Sequence, residues 1–321
     1  MGLIANVACT ALVFEGGGYR AGYTAGIADV LLEQGIYFPF VCGLSAGASN
    51  TVNYLSRDRT RVKWAFTDLA ADKEAGGIAQ MLKGNGYING DYVYRGLIDE
   101  GVAPFDWDTF SENPANMRIQ AFERDTGMTH VWDTADIGDV HKLIDVVRAS
   151  STLPWLMHPI EIDGQVMLDG GLGRGAGIPV WLAEDAGFDR FLFLATRPKG
   201  YRKEPFSGAT LSAILAFTSD YPQLREALLT RWERYNAELE RVEELERQGR
   251  CLIVRPDEML VESTTFDVPL LRHSFDLGRA HALRDLPRWR EFLFGSATAG
   301  PRAGKTAARP TLGSPGYIEI A

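Results

Sequence analysis

Phe40-Val41-Cys42-Gly43-Leu44-Ser45-Ala46-Gly47-Ala48-Ser49-Asn50 reads as three things in succession. Phe38, Phe40, Val41 and Cys42 make the end of a buried strand, Gly43-Leu44-Ser45-Ala46-Gly47 is a G-x-S-x-G, and the small residues after it can open a helix. This is the pattern of a nucleophile elbow, where a serine sits on a sharp strand-to-helix turn with its hydroxyl projecting. Glycine at 43 and 47 has a steric reason, because side chains on either side of the bend would collide with the neighbouring helix and strand. A helix N-terminus behind Ser45 adds partial positive charge, which favours a developing oxyanion. An ordinary Gly-Ser turn uses the same letters, so the reading needs support from elsewhere in the chain.

Upstream, Ala8 to Phe14 is an apolar run fit for a buried strand, and it ends at Glu15-Gly16-Gly17-Gly18-Tyr19-Arg20. A helical pattern follows, with Ile27, Val30 and Leu31 on one face and Gly35 placed to end it. Three glycines between a strand and a helix N-terminus expose backbone N–H groups to an anion. One reading is phosphate binding, since Gly16, Gly18 and Ala21 fit G-x-G-x-x-G/A. That pattern also wants an acid about 20 residues on, and none stands there. A second reading is an oxyanion hole donated by Gly17 and Gly18, with Arg20 nearby. A third is a glycine turn with no ligand.

Downstream, Met117 to Phe122 and Met128 to Trp132 flank Arg124-Asp125-Thr126-Gly127, a good hairpin. In a second hairpin, Ile160 and Ile162 alternate into Asp163-Gly164, and Val166 and Leu168 alternate out. It delivers Asp169-Gly170-Gly171. A carboxylate at a strand end beside two glycines can approach another loop closely, as a base must to reach a serine hydroxyl.

The glycine loop, the serine elbow and the Asp-Gly-Gly, in that order, resemble the patatin-like phospholipase family of lipid acyl hydrolases. The resemblance covers Ala8 to Lys199 most clearly. It implies an α/β fold, a three-layer α/β/α domain with a mostly parallel central sheet and a helical C-terminal part. It also implies a Ser-Asp dyad, with Ser45 as nucleophile and Asp169 as proton acceptor, and an oxyanion hole in the loop of Gly16, Gly17, Gly18 and Arg20. The substrate it implies is a lipid or other acyl ester, with no cofactor and no metal. Asp169 would need its pKa raised by burial to work as a base near neutral pH. Two departures stand out: Leu172 to Ile178 is a long glycine-rich approach to Pro179, and Ala21 takes a place where the family usually has glycine.

Two alternatives remain. A Ser-His-Asp esterase of the α/β-hydrolase type needs a histidine after the acid, and only His273 and His281 qualify. A non-catalytic acyl- or nucleotide-binding protein could use the glycine loop alone.

The remaining expectations concern organisation and surroundings. Residues 1–294 read as one domain and 295–321, rich in Gly, Ala, Thr, Pro and Arg, as a disordered tail. Asp91 is placed to cap the helix that carries Tyr94, Leu97 and Ile98. Pro222 to Gln248 reads as one long amphipathic helix whose Glu- and Arg-laced face is solvated. A net charge of -9 argues against nucleic acid as a partner and against simple electrostatic adhesion to anionic membranes. Cys9, Cys42 and Cys251 read as buried thiols of a reducing compartment. No apolar run reaches the roughly 18 residues of a membrane span. Met1 to Cys9 lacks the basic start of a signal peptide. The expected location is cytoplasmic, with transient contact at membrane surfaces.

Overall fold

The structure, a computed structural model, describes residues 2–295 and the backbone of Tyr317–Ile318. Its strands are β1 (Ala11–Phe14), β2 (Phe40–Gly43), β3 (Asn116–Glu123), β4 (Thr129–Asp133), β5 (Ile160–Ile162), β6 (Gln165–Leu168), β7 (Phe191–Leu194) and β8 (Cys251–Val254). The order β3-β2-β1-β7-β8 is parallel throughout, with Val13 opposite Cys42 on one side and Phe193 on the other. β4 and the β5–β6 hairpin join antiparallel through β3, and Tyr317–Ile318 pairs antiparallel with β4. The hairpin turn has φ of 54° at Asp163 and 80° at Gly164, as its Asp-Gly predicts. The expectation of a disordered tail otherwise falls outside the described residues.

The helices are α1 (Ala21–Glu33), α2 (Ala46–Leu55), then short α3 to α6 (Arg59–Trp64, Ile78–Leu82, Leu97–Asp99 and Trp107–Ser111). After them come α7 (Val140–Ser151), α8 (Val180–Asp185), α9 (Gly208–Phe217), α10 (Pro222–Leu229), α11 (Arg231–Arg247) and α12 (Val268–Phe294). Central strands are buried on both faces, so they read as continuous apolar runs. Leu12, Phe14, Val41, Leu194 and Val254 turn to a core shared with α1, α2, α7 and α12. Their neighbours Val13, Phe40, Cys42, Phe193 and Ile253 turn to a second core with α8 and α11. The result is the expected three-layer α/β/α arrangement with a largely parallel sheet.

α1 and α12 approach so closely that neither admits a side chain at the crossing. A Cβ on Gly26 would lie 2.1 Å from the Phe275 carbonyl oxygen, and one on Gly278 would lie 2.0 Å from that of Tyr23. Arg279 on α12 and Arg59 on α3 both pair with Asp29 and Glu33 of α1.

Three expectations are corrected. The 222–248 helix breaks at Thr230, where φ −91° and ψ −4° end α10 before α11 begins. Asp91 does not cap its helix; Gly90 holds that position, and Asp91 accepts from Arg148 Nη1 at 2.5 Å. Cys9 is exposed, whereas Cys42 and Cys251 are buried thiols.

Candidate active site

Ser45 leaves β2 with φ 54° and ψ −132°, a conformation side chains seldom adopt. Its surroundings hold it there. A Cβ at Gly43 would meet the Gly47 carbonyl oxygen at 2.3 Å, and one at Gly47 would meet the Phe14 oxygen at 2.5 Å. These two glycines let the elbow fold tightly over the end of β1, as the sequence pattern requires. The Ser45 N–H donates to Ser150 Oγ at 2.8 Å, tying the elbow to α7. Ser45 itself is 7% exposed.

The four loop residues grouped by sequence have different situations. The Gly16 N–H is already taken, donating to the Gly177 oxygen at 3.1 Å. A Cβ on Gly16 would stand 2.6 Å from Leu44 Cδ1 and 3.2 Å from Ser45 Cβ, so its place in the loop is that of a close spacer. Among the described residues no hydrogen bond takes the N–H of Gly17 or Gly18, and Gly18 shares a cavity wall with Ser45. Arg20 does not line that wall. Its guanidinium is mostly buried and pulled down in pKa, first by burial and then by the like charge of Arg197.

Glu15, which the motif reading passed over, anchors the whole loop. Its Oε2 accepts from the N–H and Oγ1 of Thr196, and its Oε1 accepts from Tyr235 O–H at 2.6 Å. Gly17 packs flat on Thr196, where a Cβ would come within 2.8 Å of Oγ1. The partners lie 181 and 220 residues away in the chain, so nothing local in the sequence marks them.

Asp169 is 2% exposed at the end of β6. Its N–H donates to the Thr152 oxygen at 2.8 Å, and its Oδ1 accepts from Gly171 N–H at 2.7 Å. Burial pushes its pKa above the ordinary 3.8; Arg231, the Ser45 hydroxyl and the Gly171 N–H oppose the rise. The Ser45 hydroxyl is one of the groups acting on the carboxylate, while Oδ2 has no hydrogen-bond partner among the described residues. Such contacts tighten when substrate binds. Gly170 is required by crowding: its Cβ would lie 2.3 Å from the Gln120 oxygen.

The loop after Asp169 is held from α11. Arg231 Nε donates to the Gly171 oxygen at 2.7 Å, and Arg234 donates to the oxygens of Gly173 and Leu172 at 2.7 and 2.9 Å. These arginines belong to the face expected to be solvated. Their Glu- and Arg-rich context carries no signal that separates them from ordinary surface charges.

The cavity beside Ser45 is mostly apolar. Ser45, Ser49, Val52 and Asn53 line it from one face of α2, opposed by Leu69, Val93, Ile144 and Val147. At 1.5 Å rise per residue it follows α2 for roughly 12 Å. Arg61, whose pKa burial pulls down to about 10, lines it near Asn53 and donates to Asn53 Oδ1 at 3.1 Å. Tyr94 also lines it, and burial raises its pKa.

The histidines stand elsewhere. His281 contacts Tyr23 O–H through Nδ1 at 3.1 Å and Asp257 through Nε2 at 3.3 Å. His273 is exposed on α12. Neither lines the cavity at Ser45. Among the described residues no group of three or more His, Cys, Asp or Glu could hold a metal ion.

Residues 12–183, more than half of the chain, match the patatin-like phospholipase family. The chain belongs to the patatin-like phospholipase family. Residues 221–294 of this patatin-like protein match a domain of unknown function, DUF6363. The uncharacterized protein YjjU of Escherichia coli (strain K12) is 26% identical over 199 residues, 59% of this chain and 52% of YjjU. The chain therefore spans about half the length of the curated relative it matches. Among solved structures, VipD from Legionella pneumophila is similar at 15% identity and a TM-score of 0.49, covering 87% of this chain and 67% of that one.

Proposed function

We propose that this patatin-like protein is a serine hydrolase of carboxylic esters in lipids, working through Ser45 and Asp169. The observation that carries the reading is the strained Ser45 elbow set against a buried Asp169 whose pKa is raised. A base with a raised pKa accepts a proton more readily. Asp169 takes the Ser45 proton as Oγ attacks the acyl carbonyl. The N–H groups of Gly17 and Gly18, without hydrogen-bond partners among the described residues, stabilise the oxyanion, helped by the N-terminus of α2. The C–O bond then breaks, and the alcohol leaves with the proton from Asp169. Water, deprotonated by Asp169, cleaves the acyl-enzyme and restores Ser45.

The apolar cavity along α2 suits an acyl chain. A route to a membrane surface is favoured by exposed apolar side chains beside it: Ile78, Met81 and Leu82 on α4, and Trp155. Ala75 and Ile88, on either side of α4, line the cavity, and Ile88 N–H donates to the Leu156 oxygen next to Trp155. Among the described residues no helix is long and apolar enough to cross a membrane. We also take residues 1–294 to work as one domain, since α11 and α12 complete the site and its support.

Hydrolysis of a p-nitrophenyl acyl ester series by wild type, Ser45→Ala and Asp169→Asn, with and without EDTA, tests this. The expected result is EDTA-insensitive turnover that both variants reduce to near background. Inert wild type on every ester would overturn it and favour an acyl- or nucleotide-binding protein.

A further inference from the structure

The lining of the cavity changes character along α2. Ser45, Ser49, Val52 and Asn53 recur at i, i+4, i+7 and i+8, so they follow one face of the helix. Past Ser49 the walls are apolar, with Val52 from α2, Ile144 and Val147 from α7, and Leu69 and Val93. These side chains offer an alkyl chain dispersion contact and exclusion of water, and no hydrogen bond.

At Asn53 the lining turns polar. Asn53 is buried, and its Oδ1 accepts from Arg61 Nε at 3.1 Å. Arg61 Nη1 donates to the Ala103 oxygen and, at 3.3 Å, to the Pro104 oxygen, while Cζ lies 5.6 Å from the Phe105 ring centroid. These partners are neutral, and among the described residues the guanidinium makes no ion pair. Burial pulls its pKa down to about 10 and Asp58, which caps α3, opposes the fall, so the group stays charged at neutral pH. An otherwise apolar cavity therefore carries a cation about two helical turns from Ser45.

We propose that Arg61, with Asn53, ends the acyl subsite and limits the acyl chain to about ten carbons. At 1.5 Å rise per residue, Asn53 stands roughly 12 Å along α2 from Ser45. An extended chain advances about 1.2 Å per bond. With its carbonyl at Ser45, a chain of about ten carbons brings its methyl end to Arg61. The position of the carbonyl rests on the hydrolase reading, which this inference narrows to esters of medium-chain acids.

Charge makes this end selective. Each methylene laid against Val52, Leu69, Val93, Ile144 and Val147 leaves water, and affinity rises about fourfold with each. A methylene pushed against Arg61 strips water from a cation and supplies no anion in exchange, which cancels the gain. Chain-length dependence therefore climbs to about ten carbons and then levels or falls. An apolar groove without the cation would let it climb throughout.

The test is kcat/KM of wild type, Arg61→Met and Val52→Phe on p-nitrophenyl esters from butanoate to hexadecanoate. Each value is taken as a ratio to that of the butanoate, so that the folded fraction cancels. In wild type the ratio is expected to peak at octanoate or decanoate. Arg61→Met replaces the cation with an apolar side chain; it should raise the tetradecanoate ratio about tenfold and move the peak to longer chains. Val52→Phe fills the cavity short of Asn53 and should move the peak to shorter chains. A merely loosened fold would lower all lengths together. A wild-type ratio that keeps rising to hexadecanoate, or a peak unmoved by Arg61→Met, overturns the proposal. Titration calorimetry of the free fatty acids, below their micellar concentrations, needs no turnover and so separates this inference from the hydrolase reading. Affinity that levels at decanoate in wild type and keeps rising in Arg61→Met supports the limit even where no ester is cleaved and the hydrolase reading fails. Affinity that rises through hexadecanoate in wild type rejects the limit even where esters are cleaved.

Discussion

The segment of residues 12–183 and the helical segment of residues 221–294 hold the candidate site by different means. The first uses glycine at close approaches: Gly16, Gly43, Gly47 and Gly170 each stand where a Cβ would press on backbone or on a neighbouring side chain. The second uses long polar side chains reaching inward: Tyr235 to Glu15, Arg231 to Gly171, and Arg234 to Leu172 and Gly173. Steric necessity confines the first to a few residue types in fixed order, whereas an arginine clamp can be supplied from any nearby helix. A site can therefore have a motif-bearing half and an unmarked half that are equally needed.

The strongest way to break this comparison is at Asp169. Asp169→Asn is expected to lower kcat by about 10²–10⁴, the range of a lost general base. The same change should raise the thermal midpoint above pH 7. The folded-state pKa of Asp169 lies above its unfolded value, so its contribution to stability is fully present at low pH and lost as pH rises through the folded pKa. Removing the buried charge abolishes that loss. A lowered midpoint would contradict the assignment of burial as the dominant influence.

Next in size is the α1–α12 crossing. Gly278→Leu should cost about 3 kcal/mol of stability by forcing the helices apart, read as a fall in the urea midpoint. An unchanged midpoint would mean that α12 is only loosely attached.

Arg231 sharpens the comparison further. It opposes the raised pKa of Asp169, so Arg231→Met moves the acid limb of the kcat/KM profile to higher pH, with a loss of about tenfold on that limb. Tyr94 and Ser45 also face this carboxylate and remain in the variant. Activity should recover at higher pH, and Arg231→Lys should restore part of the limb. A uniform loss at every pH would point to loop disorder instead of charge. The smallest effect is predicted for His281→Ala. It breaks the buried contact with Tyr23, yet the folded fraction should keep its specific activity within about twofold, as a dyad needs no histidine.

How much of this was legible follows the same division. The strand–glycine–helix passages at Phe14 and Gly43 and the Asp163-Gly164 hairpin were readable because turn and packing sterics act between near neighbours. Glu15 was visible as a letter before three glycines, but its partners Thr196 and Tyr235 are brought in only by the parallel sheet and α11. The break at Thr230 was hidden because apolar spacing runs through both helices. Gly16, Gly17 and Gly18 are the same letter in sequence, and only the folded glycine-rich segment distinguishes them, because the Gly177 oxygen takes the Gly16 N–H.

The most direct measurement is reaction of the intact protein with a fluorophosphonate, followed by peptide mapping of the adduct in wild type, Ser45→Ala and Asp169→Asn. The account predicts one adduct, on Ser45, absent from Ser45→Ala and formed far more slowly in Asp169→Asn. No adduct at Ser45, or labelling of Asp169→Asn at the wild-type rate, would contradict an activated Ser45–Asp169 pair.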